Sequence, residues 1–344
     1  MSDYNFLKQK NSCYVIAEAG LNHNGSMEIA KKLIDLAHES GADAVKFQKR
    51  TVEELATNNT LDAKDDRFPE FGSTYREIRN YLEFNENQYK ELQNYSLARK
   101  LDFIVTAFDI KAYEILKAIG VNIIKLASHS LTNYKLLEKI AYDKIPSILS
   151  TGMSNFDEID KAVQIFKKNN SPLAVLHCVS SYPTPLSDCN ISMVDVLKKR
   201  YDLVTGYSGH ELGFLPTLAA VSRGAKIIER HYTLDKSLPG FDHKISLEPI
   251  ELKNMIAEIR SLEKIIGNGN KNILENEWVT RHKYHVSMVS ISEIDEGSIL
   301  DDSMIAYRNP GTGIPYIDAH KVLGKKVLKK IKANELITYK MLEN

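Results

Sequence analysis

The feature of this sequence that most restricts its fold is an alternation: short apolar runs rich in β-branched residues, each followed by a longer stretch with helical spacing. Runs of this kind separated by helices become parallel strands, because a parallel pair needs a crossover connection that a helix supplies. Eight runs are present: Tyr14 to Glu18, Ala44 to Gln48, Phe103 to Thr106, Ile123 to Leu126, Ser147 to Ser150, Leu173 to His177, Leu203 to Ser208 and Ile227 to His231. Between the first two, Ile29, Leu33, Leu36 and Ala37 form one stripe of a helix over Ser26 to Ser40, with Ser26 as N-cap and Gly41 as stop. The same spacing follows the eighth run, through Leu252, Met255, Ile256, Ile259 and Leu262 in Glu248 to Ile266.

The alternation fits either an open, doubly wound sheet or a closed barrel. The count of eight favours a (β/α)8 TIM barrel. So do the polar residues that close almost every run: Glu18, Gln48, Thr106, Ser128, Ser150, His177, Ser208 and His231. A barrel gathers its chemistry around the C-terminal ends of all its strands, whereas an open sheet concentrates it at one switch point.

At 344 residues the chain exceeds one average domain. We expect a barrel over 1–266, a linker over 267–285 that opens on GNGNK, and a small domain of short strands and turns over 286–344. The turn signals DEG and NPGTG and the run HKVLGKKVLKKI mark that last part. Residues 49–85 interrupt the alternation with a long polar connection, of a length usually functional or disordered.

Lys plus Arg and Asp plus Glu are both 45, so no cationic excess marks a nucleic acid or anionic membrane partner. The start, MSDYNFLKQKNS, lacks an apolar signal core, and no run reaches the ~18 apolar residues of a membrane helix. The expectation is a cytoplasmic protein acting on small molecules. Cys13, Cys178 and Cys189 are too few and too irregular for a disulfide framework and read as reduced structural residues.

Three constellations carry chemistry. GYSGH and ERH place His210 and His231 at the ends of neighbouring strands, a pair suited to a divalent metal with positions left open, or else two hydrogen-bonded histidines in a polar mouth. Lys46 and Lys125 sit inside apolar strands and can hold a phosphate or carboxylate with the hydroxyls of Thr106, Ser128, Ser150 and Ser208. The alternative is a salt bridge to Glu18 or Glu229. Glu18, followed by Asn22 and His23 in EAGLNHNG, can orient a hydroxyl or move a proton. GNG at 267–269 lacks the third glycine of a dinucleotide loop, and no nucleophile elbow, Walker sequence or HExxH is present.

Taken together, IAEAGLNHNGS, GADAVKFQ, ILSTGMS, LHCVSSYPTP, GYSGHELG and ERHYTLDKSLPGFDHKISLEP resemble the N-acetylneuraminate (sialic acid) synthase family. The resemblance runs from Val15 to Ile266, and Val286 onward resembles the antifreeze-like (SAF) domain that ends these enzymes. It implies a transferase that condenses phosphoenolpyruvate with the open-chain aldehyde of an N-acetylated hexose, giving a nine-carbon 2-keto sugar acid and phosphate. The acceptors it implies are N-acetylmannosamine, its 6-phosphate, or a 2,4-diacetamido hexose. His210 and His231 would hold the metal, most often Mn2+, with Mg2+ or Co2+ as substitutes. Lys46, Thr106, Lys125, Ser128, Ser150, Ser180 and Ser208 would bind phosphoenolpyruvate, and Glu18 would sit near the reacting carbon. Gln48, Tyr182, Asp242 and Arg308 would contact the sugar, the last across a domain-swapped homodimer in which each C-terminal domain covers its partner's barrel.

Three positions depart from the family's pattern. Ser128, His129 and Ser130 replace S-G-E or S-G-D, which removes an acid from the sugar pocket. Ser180 stands where an asparagine is expected, and Arg308 is displaced by one residue relative to the arginine of K-R-P-G-x-G. GSTYRE, YLEF and GYSGHE are closer to the branch using a phosphorylated acceptor, with Arg76 or Arg79 to bind that phosphate. The competing readings are another metal-dependent phosphoenolpyruvate–sugar synthase or aldolase, and a non-catalytic carbohydrate-binding barrel.

Overall fold

The computed structural model describes residues 12–344, so all but the last residue of the N-terminal stretch read above for a signal core lies outside the described residues. The chain divides into two compact units between Gly267 and Asn268.

In the first unit, β1 (Tyr14–Gly20), β2 (Ala44–Lys49), β3 (Asp102–Ala107), β4 (Ile123–Leu126), β5 (Ser147–Ser150), β6 (Leu173–Cys178), β7 (Val204–Gly209) and β8 (Ile227–His231) close a parallel barrel in sequence order. Closure is made by β1 on β8, in register from Tyr14 opposite Ile227 to Glu18 opposite His231. The open sheet is thereby excluded. Strand positions agree with the sequence reading to within one or two residues, Leu203 falling just outside β7.

The crossovers are α1 (Met27–Ser40), α2 (Val52–Leu55), α3 (Asn58–Leu61), α4 (Tyr75–Leu82), α5 (Glu86–Ala98), α6 (Ile110–Ala118), α7 (Tyr134–Tyr142), α8 (Phe156–Lys168), α9 (Met193–Tyr201), α10 (Leu215–Ser222) and α11 (Pro249–Ile265). Ser26 caps α1 by accepting from the Ile29 amide, and Gly41 ends it at φ 83°. The connection over 49–85 differs from the polar loop read in the sequence. It holds α2, α3 and α4, whose few turns are too short to give a periodic signal, and Ile78 and Leu82 of α4 bury against Leu21 and Phe71.

The period of two along each strand places the chemistry. One phase, including Val15, Val45, Val105 and Leu149, packs under the helices. The other fills the barrel with Tyr14, Ile16, Ala44, Ile104, Ile123, Ile148, Ala174, Leu176 and Ile227. Two residues further along that inward phase stand Glu18, Lys46, Thr106, Lys125, Ser150, Cys178 and Glu229, and His231 lies two beyond Glu229. A polar layer is thus laid on an apolar one.

In the second unit, β9 (Ser287–Ser290) and β10 (Ile305–Arg308) pair antiparallel over a core that includes Met288, Ile294, Leu300, Ile314, Val327 and Ile337. The segment expected as linker contains α12 (Glu277–Tyr284), which buries none of its residues. A further short helix, α13 (Ala319–Val322), completes the unit. Among the described residues, no helix is long and apolar enough to cross a membrane.

Candidate active site

The polar layer forms the floor of a cavity of about 430 Å3 at the C-terminal ends of the strands. Lys46 Nζ lies 2.7 Å from Glu18 Oε2 and 3.7 Å from Glu229 Oε2, and donates to Thr106 Oγ1 at 2.9 Å. Lys125 Nζ donates to Ser150 Oγ at 2.7 Å and lies 3.7 Å from Glu229 Oε1. Ser208 donates to the same Glu229 oxygen at 2.9 Å, and Gln48 Nε2 donates to Glu18 Oε1 at 2.6 Å. Two buried ammoniums are therefore balanced by two buried carboxylates, as burial of charge requires. Burial alone would raise the Glu229 carboxyl, but the Lys125 and then the Lys46 charge outweigh it and bring its pKa down to about 2. Burial pulls Lys125 the other way, below the usual lysine range.

Gly152 opens a second hydroxyl pair beside this floor. Its amide donates to Ser128 Oγ at 2.9 Å, and a Cβ there would lie 2.8 Å from Ser128 Oγ and collide with Ser180 Oγ. Both serines line the cavity.

The two histidines stand on the β7–β8 side with ring centroids 5.4 Å apart. His210 Nδ1 meets the Val179 carbonyl at 2.9 Å, so in the neutral ring it carries the proton and leaves the lone pair on Nε2. His231 Nδ1 is buried without a hydrogen-bond partner, 3.7 Å from Asp242 Oδ2. Burial lowers the pKa of His231 and keeps it neutral; for His210, burial is opposed and outweighed by Cys178 and the Val179 carbonyl, which raise it. Tyr182 lies against His210 with ring centroids 4.0 Å apart and planes tilted by 32°. Among the described residues no third acid, cysteine or histidine completes a preformed cluster. A pair with one orientated lone pair and one orphaned nitrogen fits a divalent ion that keeps open positions for small ligands.

The structure thus brings Glu18, Lys46, Gln48, Thr106, Lys125, Ser128, Ser150, Ser180, Tyr182, Ser208, His210, His231 and Asp242 to one cavity. Arg308 lies in the other unit, at the end of β10, where it donates to Asn334. Of the two arginines expected to meet an acceptor phosphate, Arg76 is engaged by Asp62 at 2.6 Å and is not among the cavity's lining residues, whereas Arg79 is.

Several residues escaped the sequence reading. Glu229, in sequence only a candidate salt-bridge partner, stands on the inward phase two residues before His231. Arg50, just past β2, lies over Phe108 at 4.0 Å and donates to Gln48. Burial, and then the neighbouring Arg79 charge, pull Arg50 below its usual range. Arg230, on the outward phase beside His231, donates to Glu211 Oε1 at 2.7 Å, the Glu211 carbonyl at 2.8 Å, the Gly213 carbonyl at 2.7 Å and Thr217 Oγ1 at 2.8 Å. It ties the end of β8 to the loop that carries His210, and no local sequence signal announces such a brace.

Comparison with known proteins places this geometry. Residues 33–271 match the NeuB family and 286–343 match the SAF domain. The N-acetylneuraminate-9-phosphate synthase of Homo sapiens is 36% identical over 96% of this chain and 93% of its own. The N,N'-diacetyllegionaminic acid synthase of Campylobacter jejuni is 36% identical over 94% of this chain and 98% of its own. A crystal structure of N-acetylneuraminic acid (sialic acid) synthetase from Leptospira borgpetersenii superposes with a TM-score of 0.68 at 38% identity, covering 78% of this chain and 90% of that one.

Proposed function

The chain belongs to the NeuB family and ends in a SAF domain, and from that premise we propose that it condenses phosphoenolpyruvate with the aldehyde of an N-acetylated hexose to make a nonulosonate. The observation that carries the reading is the buried cradle of Lys46, Lys125, Glu18 and Glu229 beside the His210–His231 pair.

Lys46 and Lys125 bind the phosphate and carboxylate of phosphoenolpyruvate as point charges, and Thr106, Ser128, Ser150, Ser180 and Ser208 donate hydroxyl hydrogen bonds around them. Gly152 leaves the room that Ser128 and Ser180 need to face the ligand. Gln48, Tyr182 and Asp242 position the sugar with its aldehyde carbon against C3 of phosphoenolpyruvate, an orientation that by itself removes much of the entropic barrier. His210 and His231 would hold a divalent ion, Mn2+ foremost and Mg2+ or Co2+ in its place, which would supply polarisation of the aldehyde oxygen. The C3–C1 bond forms, water adds at C2 and the C2–O bond to phosphate breaks, so that one inorganic phosphate leaves per product. Glu18, within 2.7 Å of Lys46 Nζ, is placed to exchange a proton near the reacting carbon. The resemblance further supports a cytoplasmic dimer in which the SAF unit of one subunit covers the barrel mouth of the other and contributes Arg308.

The test is phosphate release from phosphoenolpyruvate with N-acetylmannosamine, its 6-phosphate and a 2,4-diacetamido hexose, each with and without chelator. Stoichiometric, chelator-sensitive release with at least one of them is expected. Release with arabinose 5-phosphate and none of these sugars would assign the barrel to another phosphoenolpyruvate–sugar condensation.

The Arg230 brace gives a further expectation. Arg230→Lys keeps the charge but cannot reproduce four donors in a fork, so we expect a loss of about 1–3 kcal/mol in unfolding free energy. Because the brace sets the spacing of the two histidines, manganese affinity should fall by about tenfold or more, as it does when supporting contacts of ligands are lost. Titration of manganese followed by its electron paramagnetic resonance checks this; an unaltered affinity would reduce Arg230 to a folding residue.

A further inference from the structure

Above the lysine floor, the cavity wall on the β2–β4 side carries positive charge that its own carboxylates do not balance. Arg50 follows β2 and Arg79 lies on α4 in the β2–β3 connection; beside them His129, whose pKa burial and the two arginines lower, follows β4, and all three line the cavity. Arg50 is buried against Glu83, but Glu83 is shared: Lys49 Nζ lies 2.8 Å from its Oε2 and Arg50 Nη1 lies 3.7 Å from its Oε1. One acid therefore faces two cations. Arg79 has no carboxylate within 4.0 Å among the described residues, and Asp65, the acid that feels its charge, is bound by Arg67 at 2.6 Å.

Both guanidiniums also keep unspent donors. Arg50 Nη1 and Arg79 Nε are buried with no hydrogen-bond partner, a state that native proteins reserve for few groups. Each plane rests on rings, Arg50 over Phe108 at 4.0 Å, and Arg79 over Phe241 at 4.3 Å and Tyr75 at 4.9 Å. Stacking of this kind fixes the fork and leaves its edges for a ligand. The chain's departure at 128–130 adds to the same wall. Ser130, where an acid is expected, is buried with its hydroxyl unpartnered and does not line the cavity, whereas His129 lines it within the field of both arginines.

We propose that Arg50 and Arg79, with His129 beside them, form a subsite for a phosphate monoester on the acceptor sugar, at the end remote from its aldehyde. The inference rests on the reading of the site as a phosphoenolpyruvate–acetamido sugar synthase and adds the charge of the acceptor. A phosphate dianion matches two guanidiniums that line one cavity and feel each other's charge, and can take either in bidentate fashion, which a neutral hydroxyl cannot. The remote end follows from strand order: the histidines stand on β7 and β8, the arginines and His129 on the β2–β4 side, so a sugar with its aldehyde at the histidines extends its last carbon across the mouth. Lys46 and Lys125 remain committed to phosphoenolpyruvate, so the two anions have separate cations.

The experiment compares kcat/KM for N-acetylmannosamine 6-phosphate, N-acetylmannosamine and a 2,4-diacetamido hexose on the full chain loaded with manganese. The phosphorylated sugar is expected to lead by about tenfold or more. Arg79→Gln should collapse that ratio through the KM of the sugar phosphate while the KM of phosphoenolpyruvate moves less than about twofold, and Arg79→Lys should restore part of it. His129→Glu, which places a negative charge on the wall, should lower the ratio independently and decides the matter if Arg79→Gln does not fold. Equal use of neutral and phosphorylated sugar by the unaltered protein overturns the subsite, as does a preference that survives both substitutions. If no acetamido sugar releases phosphate, the synthase reading itself falls; calorimetric titration with the sugar phosphate and the neutral sugar then decides the subsite by direct binding, tighter binding of the phosphate supporting it and equal binding refuting it.

Discussion

His210→Ala is expected to lower turnover by about three orders of magnitude and to strip the protein of its manganese. Nδ1 is spent on the Val179 carbonyl at 2.9 Å, so the neutral ring keeps one lone pair, on Nε2, for a metal, and the neighbouring His231 would supply the other. A two-histidine site reduced to one loses most of its affinity. The polarisation lost with the ion amounts to several kcal/mol of transition-state stabilisation, and at 1.36 kcal/mol per factor of ten this gives the rate loss. Stability should change far less, by about 1 kcal/mol, since the truncation removes one hydrogen bond. Phosphoenolpyruvate should still bind, because Lys46 and Lys125 are held by Glu18 and Glu229 and not by the histidines. His231→Ala should match it, and the double variant should be no worse than either single one, as for residues that act as a unit. Manganese stoichiometry with steady-state phosphate release checks all of this; near-normal turnover with metal retained would remove the pair from the chemistry.

The barrel and most of its floor were legible in the sequence because both depend on the same period of two. Ile16, Ala44, Ile104 and Ile123 declare the inward phase, and a charged residue two places on, such as Lys46 or Lys125, must then stand in the mouth. The family resemblance gives roles to these positions and adds Ser180, Tyr182 and Asp242, which no strand period marks. What stayed hidden is what no short window encodes. Arg50 and Arg79 become neighbours through helices of four to eight residues whose register is set by tertiary packing, as Ile78 and Leu82 show. Arg230 looks like an outward strand residue, and only the fold brings Glu211, Gly213 and Thr217 to its guanidinium. Arg76 and Arg79 were indistinguishable in sequence, yet one turns to Asp62 and the other to the cavity.

Glu229→Gln is expected to be the costliest substitution for stability, and its cost should shrink when phosphoenolpyruvate is bound. The carboxylate lies between both ammoniums: Oε1 accepts from Ser208 at 2.9 Å and faces Lys125 at 3.7 Å, while Oε2, without a hydrogen-bond partner, faces Lys46 at 3.7 Å. The amide keeps the shape and an acceptor for Ser208 but removes the charge. Lys46 retains Glu18 at 2.7 Å; Lys125 is left, among the described residues, with no carboxylate within 4.0 Å. Removing one partner of a buried ion pair costs roughly 3–5 kcal/mol, so the melting temperature should drop by on the order of 10 °C. Phosphoenolpyruvate restores negative charge to the same ammoniums and binds only the folded state, so its stabilising effect should exceed that on the unaltered protein; a tenfold tighter complex adds about 1.4 kcal/mol. Thermal unfolding with and without phosphoenolpyruvate reads both numbers. An unchanged melting temperature, or an equal gain from the ligand, would mean that Glu229 does not balance the lysines. Without the acid the cradle would hold its anions more tightly, and in the proposed reaction inorganic phosphate, the product that must leave after every turnover, would be the anion retained.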